Sequence, residues 1–130
     1  SYKHKALKKG TYYKYIVQAY RMENGKLQIL ESSKTIHVTT KGGKYGNPRG
    51  IKIKGTKLTL KTGSKFTLKT TVIKQDKKIK EHRKVAFESG NPKVASVSAK
   101  GVIKAKKKGS CTIYAYAQNG VCKKVKVTVK

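Results

Sequence analysis

The stretch from Phe87 to Ala117 limits the possible folds of this chain more than any other part of it. It contains three turn signals, which are Asn91-Pro92, Lys100-Gly101 and Lys107-Lys108-Gly109. These turns leave four short segments in which apolar residues alternate, as at Ile113, Ala115 and Ala117. One face of each segment can therefore be buried. Because no apolar stripe with a helical period persists, the pattern predicts an all-β chain with a β-sandwich.

The same residues carry a family resemblance. Three linked motifs follow in order: Ser89-Gly-Asn91-Pro92-Lys-Val94-Ala95-Ser-Val97, then Gly101-Val102-Ile103, then Gly109-Ser-Cys-Thr-Ile113. Together they resemble the bacterial immunoglobulin-like domain of group 2, a family of surface proteins related to the repeats of invasin and intimin. The resemblance extends from Ile51 to Val129 and implies an immunoglobulin-like β-sandwich. Because such sandwiches host many functions, it implies no particular ligand.

Residues 1–41 lie outside that resemblance and predict a separate piece of β-structure. Side chains alternate along one expected strand: Tyr13, Tyr15, Val17 and Ala19. Asn24-Gly25 is a strong hairpin signal, after which residues 26–30 and 35–40 return as an interrupted partner strand. A lone hairpin is marginally stable in water. We therefore expect it to pack on upstream sequence, on the neighbouring domain or on a second copy.

A second resemblance falls in this N-terminal piece. Leu7, Gly10, Thr11 and Tyr13 resemble the tyrosine corner that precedes the last two strands of a fibronectin type III domain. The resemblance implies that Tyr13 is the corner tyrosine and that residues 1–41 are the C-terminal fragment of such a domain. The earlier strands of that family are missing from this sequence.

The predicted organisation has three parts. Residues 1–41 form the fibronectin type III-like fragment, and residues 51–130 form the group 2 immunoglobulin-like domain. Residues 42–50 between them are rich in glycine, include Pro48 and show no apolar period, so they are predicted to be a linker. The predicted fold class is all-β, with an immunoglobulin-like sandwich preceded by a β-hairpin fragment.

Two aromatic residues are expected in the core of the sandwich. Phe87 stands where the group 2 family often has Trp, so the resemblance implies that it is the central core aromatic. Phe66 alternates with Lys65 and Thr67, which places Phe66 on the inner side of its strand together with Leu68.

The two cysteines are predicted to be free thiols. With a three-residue loop at residues 118–120, Ile113 faces Val125 across the last hairpin. In this register Cys111 points inward as a small core residue, whereas Cys122 points outward and lies several residues away along the ladder. A disulfide requires Cα atoms within about 7 Å, which the register excludes.

The charge of the chain is strongly positive. It has 33 Lys and Arg against 5 Asp and Glu, a net charge of +28. The charge is spread, with +7 over residues 1–41 (nine basic, two acidic) and +19 over residues 51–130 (22 basic, three acidic). Two interpretations are open: a solvated, soluble surface, or attraction to a polyanion such as an anionic cell wall or acidic glycan. Because Lys far outnumbers Arg, nucleic acid is expected to bind only non-specifically.

No catalytic or metal-binding constellation is evident. The three histidines, His4, His37 and His82, are far apart in sequence and are expected to be surface or filler residues. The five carboxylates are scattered, so neither an acid–base pair nor a calcium site is predicted. We predict a protein that is not an enzyme and that uses no cofactor and no metal.

One surface is a candidate for ligand binding. In the predicted register the outer face of the last hairpin places Tyr114 beside Lys124, with Tyr116 and Lys126 on the same face. Aromatic rings beside lysines can stack on a sugar ring or hold a polyanion. The simpler interpretation is that these are ordinary strand residues whose cross-strand pairs stabilise the sheet.

These features predict a non-catalytic spacer and adhesion module of a larger bacterial surface or secreted protein, which presents or anchors other domains outside the cell. The alternative is a lysine-rich module that binds a cell-wall polymer or acidic glycan. The expected partners are such a polymer, a glycan or a host surface protein. The sequence shows neither a signal peptide nor an apolar run of spanning length, so we expect it to be an excerpt of a longer protein.

Overall fold

The computed structural model describes all 130 residues. Its regular secondary structure consists of 13 β-strands and contains no helix. The N-terminal part contains β1 (Tyr12–Tyr15), β2 (Gln18–Glu23), β3 (Lys26–Ser32) and β4 (Ile36–Thr39). The rest contains β5 (Gly50–Ile53), β6 (Lys57–Leu60), β7 (Lys65–Thr67), β8 (Thr70–Ile73), β9 (Ala86–Ser89), β10 (Ala95–Val97), β11 (Val102–Ala105), β12 (Gly109–Tyr116) and β13 (Cys122–Val129). The predicted all-β class is confirmed.

The strands from β5 onward form a two-layer sandwich. One layer is a four-stranded sheet with the order β6-β13-β12-β9, in which β6 and β13 are parallel. The other layer combines the sheet β10-β11-β7 with the pair β5-β8. β7 and β8 are two halves of one extended segment, interrupted at Leu68 and Lys69. The four strands predicted between Phe87 and Ala117 correspond to β9 through β12, and the immunoglobulin-like sandwich is confirmed.

The register of the β12–β13 hairpin is the predicted one. Ile113 pairs with Val125, and the two cysteines are free. Cys111 is buried among the core residues, whereas Cys122 is exposed and pairs with Tyr116. Because side chains alternate between the two faces of a strand, the two thiols lie on opposite faces of this sheet.

The core is aliphatic, and both phenylalanines lie at its margin. Its largest fully buried side chains are Ile103, Ile113, Val125, Val127 and Val129. Phe87 is only half-buried, which corrects the expectation of a central aromatic residue. Its ring lies against Gly101, whose φ of +77° and lack of a Cβ allow the close approach. The expected inner position of Phe66 is also corrected. Phe66 lies on the edge strand β7, pairs with Ile103 of β11 and keeps 36% of its surface exposed.

The N-terminal part forms two short ribbons, with β1 paired to β4 and β2 paired to β3. The prediction of one continuous strand through Val17 is therefore wrong, because β1 ends at Tyr15 and β2 begins at Gln18. The strand breaks because Ser33 bonds both backbone groups of Val17: its Oγ accepts the Val17 N–H at 2.9 Å, and its own N–H donates to the Val17 carbonyl at 2.7 Å. The Tyr13 hydroxyl accepts the backbone N–H of Lys8 at 2.9 Å, which is the hydrogen bond that a tyrosine corner requires.

The glycine-rich segment 42–50 is held by hydrogen bonds on both sides. The Thr39 N–H donates to Asn47 Oδ1 at 2.8 Å, and Asn47 Nδ2 donates to the Thr39 carbonyl at 2.9 Å. On the other side, Lys80 exchanges backbone hydrogen bonds with Lys44 and Gly46, and Pro48 is buried. These contacts connect the N-terminal ribbons to the sandwich, while the three-part division of the chain stays a prediction.

Candidate ligand-binding face and the neighbouring junction

The four predicted ligand-binding residues lie together on the outer face of the β12–β13 hairpin. Tyr114 is opposite Lys124, Thr112 is opposite Lys126, and Tyr116 follows two residues after Tyr114 on the same side. The lysines are exposed, whereas the tyrosines are half-buried. We call Tyr114, Tyr116, Lys124 and Lys126 the tyrosine–lysine face.

The two tyrosine rings form a short stack with a lysine over each ring. Their centroids are 6.0 Å apart and their planes differ by 12°. Lys124 Nζ lies 5.7 Å from the centroid of the Tyr114 ring. Lys34, which the sequence did not single out, comes from the segment between β3 and β4 and places its Nζ 5.8 Å from the Tyr116 ring. These are cation–π distances, so the face offers aromatic surface and positive charge at the same points.

The electrostatics of this face are set by lysines and one carboxylate. Glu88 lies 3.4 Å from Lys34 Nζ in an ion pair. Burial raises the pKa of Tyr116, with smaller contributions from the nearby Cys122 and Glu88. Burial also raises the pKa of the Cys122 thiol, although Lys124 opposes this shift. The phenol and the thiol are therefore neutral near pH 7, and the net charge of the face is positive.

An open groove adjoins the far end of the face. Its walls carry hydroxyl and ammonium groups, and they are formed by Thr56, Lys57, Ser110, Cys111, Thr112, Lys124 and Lys126. Three lysines along one groove repel one another unless counterions or an anionic ligand lie between them. The groove extends the tyrosine–lysine face toward β6.

At the near end of the face, a buried glutamine joins three separate segments. Gln118 is 5% exposed, and its Oε1 accepts the backbone N–H of His82 at 2.6 Å and that of Arg83 at 3.0 Å. Its Nε2 donates to the Gly46 carbonyl at 3.2 Å, and its own carbonyl accepts the His37 N–H at 2.6 Å. Asn119 adds a bond from Nδ2 to the Pro48 carbonyl at 2.9 Å. We call the contacts of Gln118 and Asn119 the junction.

Two of the three histidines, which are far apart in sequence, meet at this junction. The His82 ring stacks on Tyr12 at 4.3 Å and lies 5.3 Å from both His37 and Tyr45, measured between ring centroids. The pKa of His37 is lowered, first by burial and then by the positive charges of Arg83, His82 and Lys14. His4 lies elsewhere, with its Nδ1 2.8 Å from the Tyr15 hydroxyl.

Sequence reasoning missed these junction residues because they come from three distant parts of the chain. No local spacing links position 37 to position 82, and Gln118 reads as an ordinary loop residue. No group of three His, Cys, Asp or Glu side chains is close enough to hold a metal ion. The assembled surfaces therefore offer stacking, hydrogen bonding and positive charge.

Comparison with known proteins places most of the chain in one family. Residues 49–129, more than half of the chain, match the bacterial Ig-like domain (group 2). The kappa-carrageenase of Pseudoalteromonas carrageenovora is 36% identical over 69 residues, which is 53% of this chain but only 17% of that enzyme. Domains 4 and 5 of the S-layer protein SbsC align with 91% of this chain and 75% of theirs, with a TM-score of 0.54 and 23% identity. The fibronectin type III resemblance of residues 1–41 stays a prediction.

Proposed function

Since this chain belongs to the group 2 bacterial Ig-like family, we propose that it is a rigid, non-catalytic module that spaces and presents other domains outside the bacterial cell. Two similarities support an extracellular or surface setting: one to a segment of a carrageenase, and one in fold to two consecutive domains of an S-layer protein. The carrageenase match covers too little of that enzyme to transfer its activity. The structure contains no helix suited to crossing a membrane.

The observation that carries the spacer proposal is the junction. Gln118 is buried, and its amide and carbonyl groups bond the backbone at positions 37, 46, 82 and 83. The bonds to His82 and Arg83 hold Gln118 within the sandwich, and the bonds to His37 and Gly46 join it to the preceding segments. Opening the junction would leave these buried polar groups without partners, so the bonds favour one arrangement of the two parts. A spacer needs such a fixed connection, because a flexible linker transmits neither distance nor direction.

The test is a comparison of Gln118→Ala with Gln28→Ala. Gln28 lies in the exposed strand β3, so the control removes the same amide from a site without these bonds. Backbone NMR relaxation should give one rotational correlation time for residues 1–41 and 51–130 in the parent chain and in the control. Gln118→Ala loses the side-chain bond to Gly46 but keeps the backbone bond to His37, so the N-terminal residues should gain motion relative to the sandwich. Independent tumbling of the parent chain would contradict a rigid spacer.

A second function is favoured by a different observation. The stacked rings of Tyr114 and Tyr116, each with a lysine within 6 Å, support binding of a polyanionic polymer such as a cell-wall polymer or acidic glycan. Exposed charges are screened beyond about 8 Å at physiological ionic strength, so lysines must be clustered to act together. Lys124 and Lys126 meet this condition because they line the same groove.

The salt dependence of binding tests this second function. Replacing Lys124 and Lys126 with Gln should lower the slope of log affinity against log salt by about two, if both contact the polymer. Lys65→Gln with Lys104→Gln is the matched control, because these two lysines form a cross-strand pair in the other layer. An equal loss of slope in both double variants would indicate diffuse charge without a site.

A further inference from the structure

A cavity lies where the N-terminal ribbons meet the sandwich. Its volume is about 340 Å³, which is within the range of about 300–1,000 Å³ typical of ligand pockets. Its lining comes from residues 34–37 of the N-terminal part and, in the sandwich, from Arg83, Lys84, Ala86, residues 116–118 and Gly120. The cavity therefore exists only where the two parts of the chain are docked together.

The charged groups that line this cavity are all basic. Lys34, Arg83 and Lys84 contribute to its walls together with His37, and no carboxylate does. One of these basic groups, Lys34, is paired with Glu88. Neither Arg83 nor Lys84 takes part in any of the three ion pairs of the molecule, so their charges are not compensated within the chain.

The rest of the lining suits a sugar ring. Ile36, Ala86, Tyr116 and Ala117 give apolar surface beside the basic groups, and Thr35 adds a hydroxyl. The amide of Gln118 bonds three backbone partners, two through Oε1 and one through Nε2, so it holds the wall of the cavity in place. An apolar and aromatic surface next to cations matches a pyranose ring that carries an anionic substituent.

We propose that this junction cavity binds one anionic unit of an acidic polysaccharide, a sugar bearing a carboxylate or a sulfate ester. The Arg83 guanidinium has the planar fork that binds such oxyanions with two parallel hydrogen bonds. Lys84 and Lys34 add charge, and the Tyr116 ring supports the sugar. The site goes beyond the spacer function. It shares Tyr116 and Lys34 with the polymer-binding proposal but needs neither Lys124 nor Lys126, so replacing Lys124 and Lys126 distinguishes the two proposals.

Monosaccharides separate the possible ligand chemistries. Glucuronate, galactose 6-sulfate, galactose and inorganic sulfate are each titrated into the full chain at about 0.15 M salt while backbone amide shifts are followed. We expect either acidic sugar, or both, to shift amides at residues 34–37, 83–86 and 116–120, with at least about tenfold weaker effects from galactose and from sulfate alone. The proposal is overturned by equal binding of galactose, by equal binding of inorganic sulfate, or by no shifts around the cavity.

A pair of arginine variants then tests the assigned residue. Arg83→Gln should weaken binding of the acidic sugar about tenfold or more, because a hydrogen bond to a charged group is lost. Arg49→Gln removes the same charge from a position outside the cavity and should leave the affinity within about twofold. Both arginines use only backbone groups in the fold, so neither change removes a side-chain bond. Equal weakening by the two variants, or equal competition by duplex DNA at the same salt, would overturn the site.

Discussion

The two parts of this chain use the same apolar residue types with opposite results. All of the buried residues lie between Pro48 and Val129, and none lies in residues 1–47. In the hairpin β2–β3, Leu27 and Ile29 remain 57% and 53% exposed, whereas Ile113 and Val125 in β12–β13 are fully buried. Both regions place apolar residues at alternate positions, as at Leu27 and Ile29 in β3, and both form paired strands. The comparison shows that alternation specifies a strand, but a core requires a second sheet to cover the apolar face.

The largest expected effect is a difference in unfolding free energy when the same substitution, Ile to Ala, is made in each region. Ile113→Ala should cost about 2–5 kcal/mol of unfolding free energy, because it leaves a cavity in a fully buried core. Ile29→Ala should cost no more than about 0.5 kcal/mol, because the side chain is already half in water. Chemical denaturation followed by far-ultraviolet circular dichroism measures both. A large cost at Ile29 would mean that the hairpin is covered in solution by another surface.

A smaller effect is expected for the aromatic residues at the margin of the core. Phe87→Ala should cost about 2 kcal/mol, less than the 3–5 kcal/mol typical of a fully buried phenylalanine, because its ring is only half-buried against Gly101. Tyr114→Ala should cost about 1 kcal/mol or less, because the ring lies on the outer face. Equal losses at the two positions in chemical denaturation would contradict the assignment of the strand faces.

Much of the sandwich could be predicted because its signals are local. The turns at Asn91-Pro92 and Lys100-Gly101 and the three-residue loop before Val121 fix where strands end, and the hairpin loop alone sets the β12–β13 register. The placement of Tyr114 beside Lys124 and the opposite orientations of the two cysteines follow directly from that register.

The features that escaped sequence reasoning depend on contacts between distant segments. Phe87 lies at the margin because the centre between the two sheets is filled by branched aliphatic side chains, which a strand pattern does not distinguish from an aromatic one. Lys34 reaches Tyr116, and His82 stacks on Tyr12, only after the N-terminal ribbons dock. Tertiary docking of this kind has no periodic signature in a sequence.

Separating the two parts tests whether they depend on each other. A fragment beginning at Pro48 should melt cooperatively, with the loss of about 1 kcal/mol, or about 4–8 °C in Tm, from the missing junction hydrogen bonds. Residues 1–47 alone should show the narrow amide dispersion of an unfolded peptide, because they bury no side chain fully. Calorimetry and NMR of both fragments measure this. An unfolded C-terminal fragment would place the ribbons in the folding core.

The smallest expected effect is a pH dependence of the junction itself. Burial and the charges of Arg83, His82 and Lys14 lower the pKa of His37 in the docked state. In an opened junction His37 regains its ordinary pKa of about 6.5 and binds a proton that the docked form does not. Acidification below about pH 6.5 therefore favours opening of the junction. Once the pH is below the lowered pKa of His37 in the docked form, both forms bind the proton and the junction loses no further stability.

His37→Gln is the variant that isolates this effect, and His4→Gln is its control, because His4 lies outside the junction and bonds Tyr15. NMR relaxation between pH 7.5 and pH 5 should show residues 1–41 of the parent chain and of the control gaining independent motion on acidification. The same residues of His37→Gln should change little over that range, because the substituted side chain does not titrate. An identical pH response in all three proteins would mean that the titration of another group controls the junction. The attachment of residues 1–41 to the sandwich would then not depend on the protonation of His37.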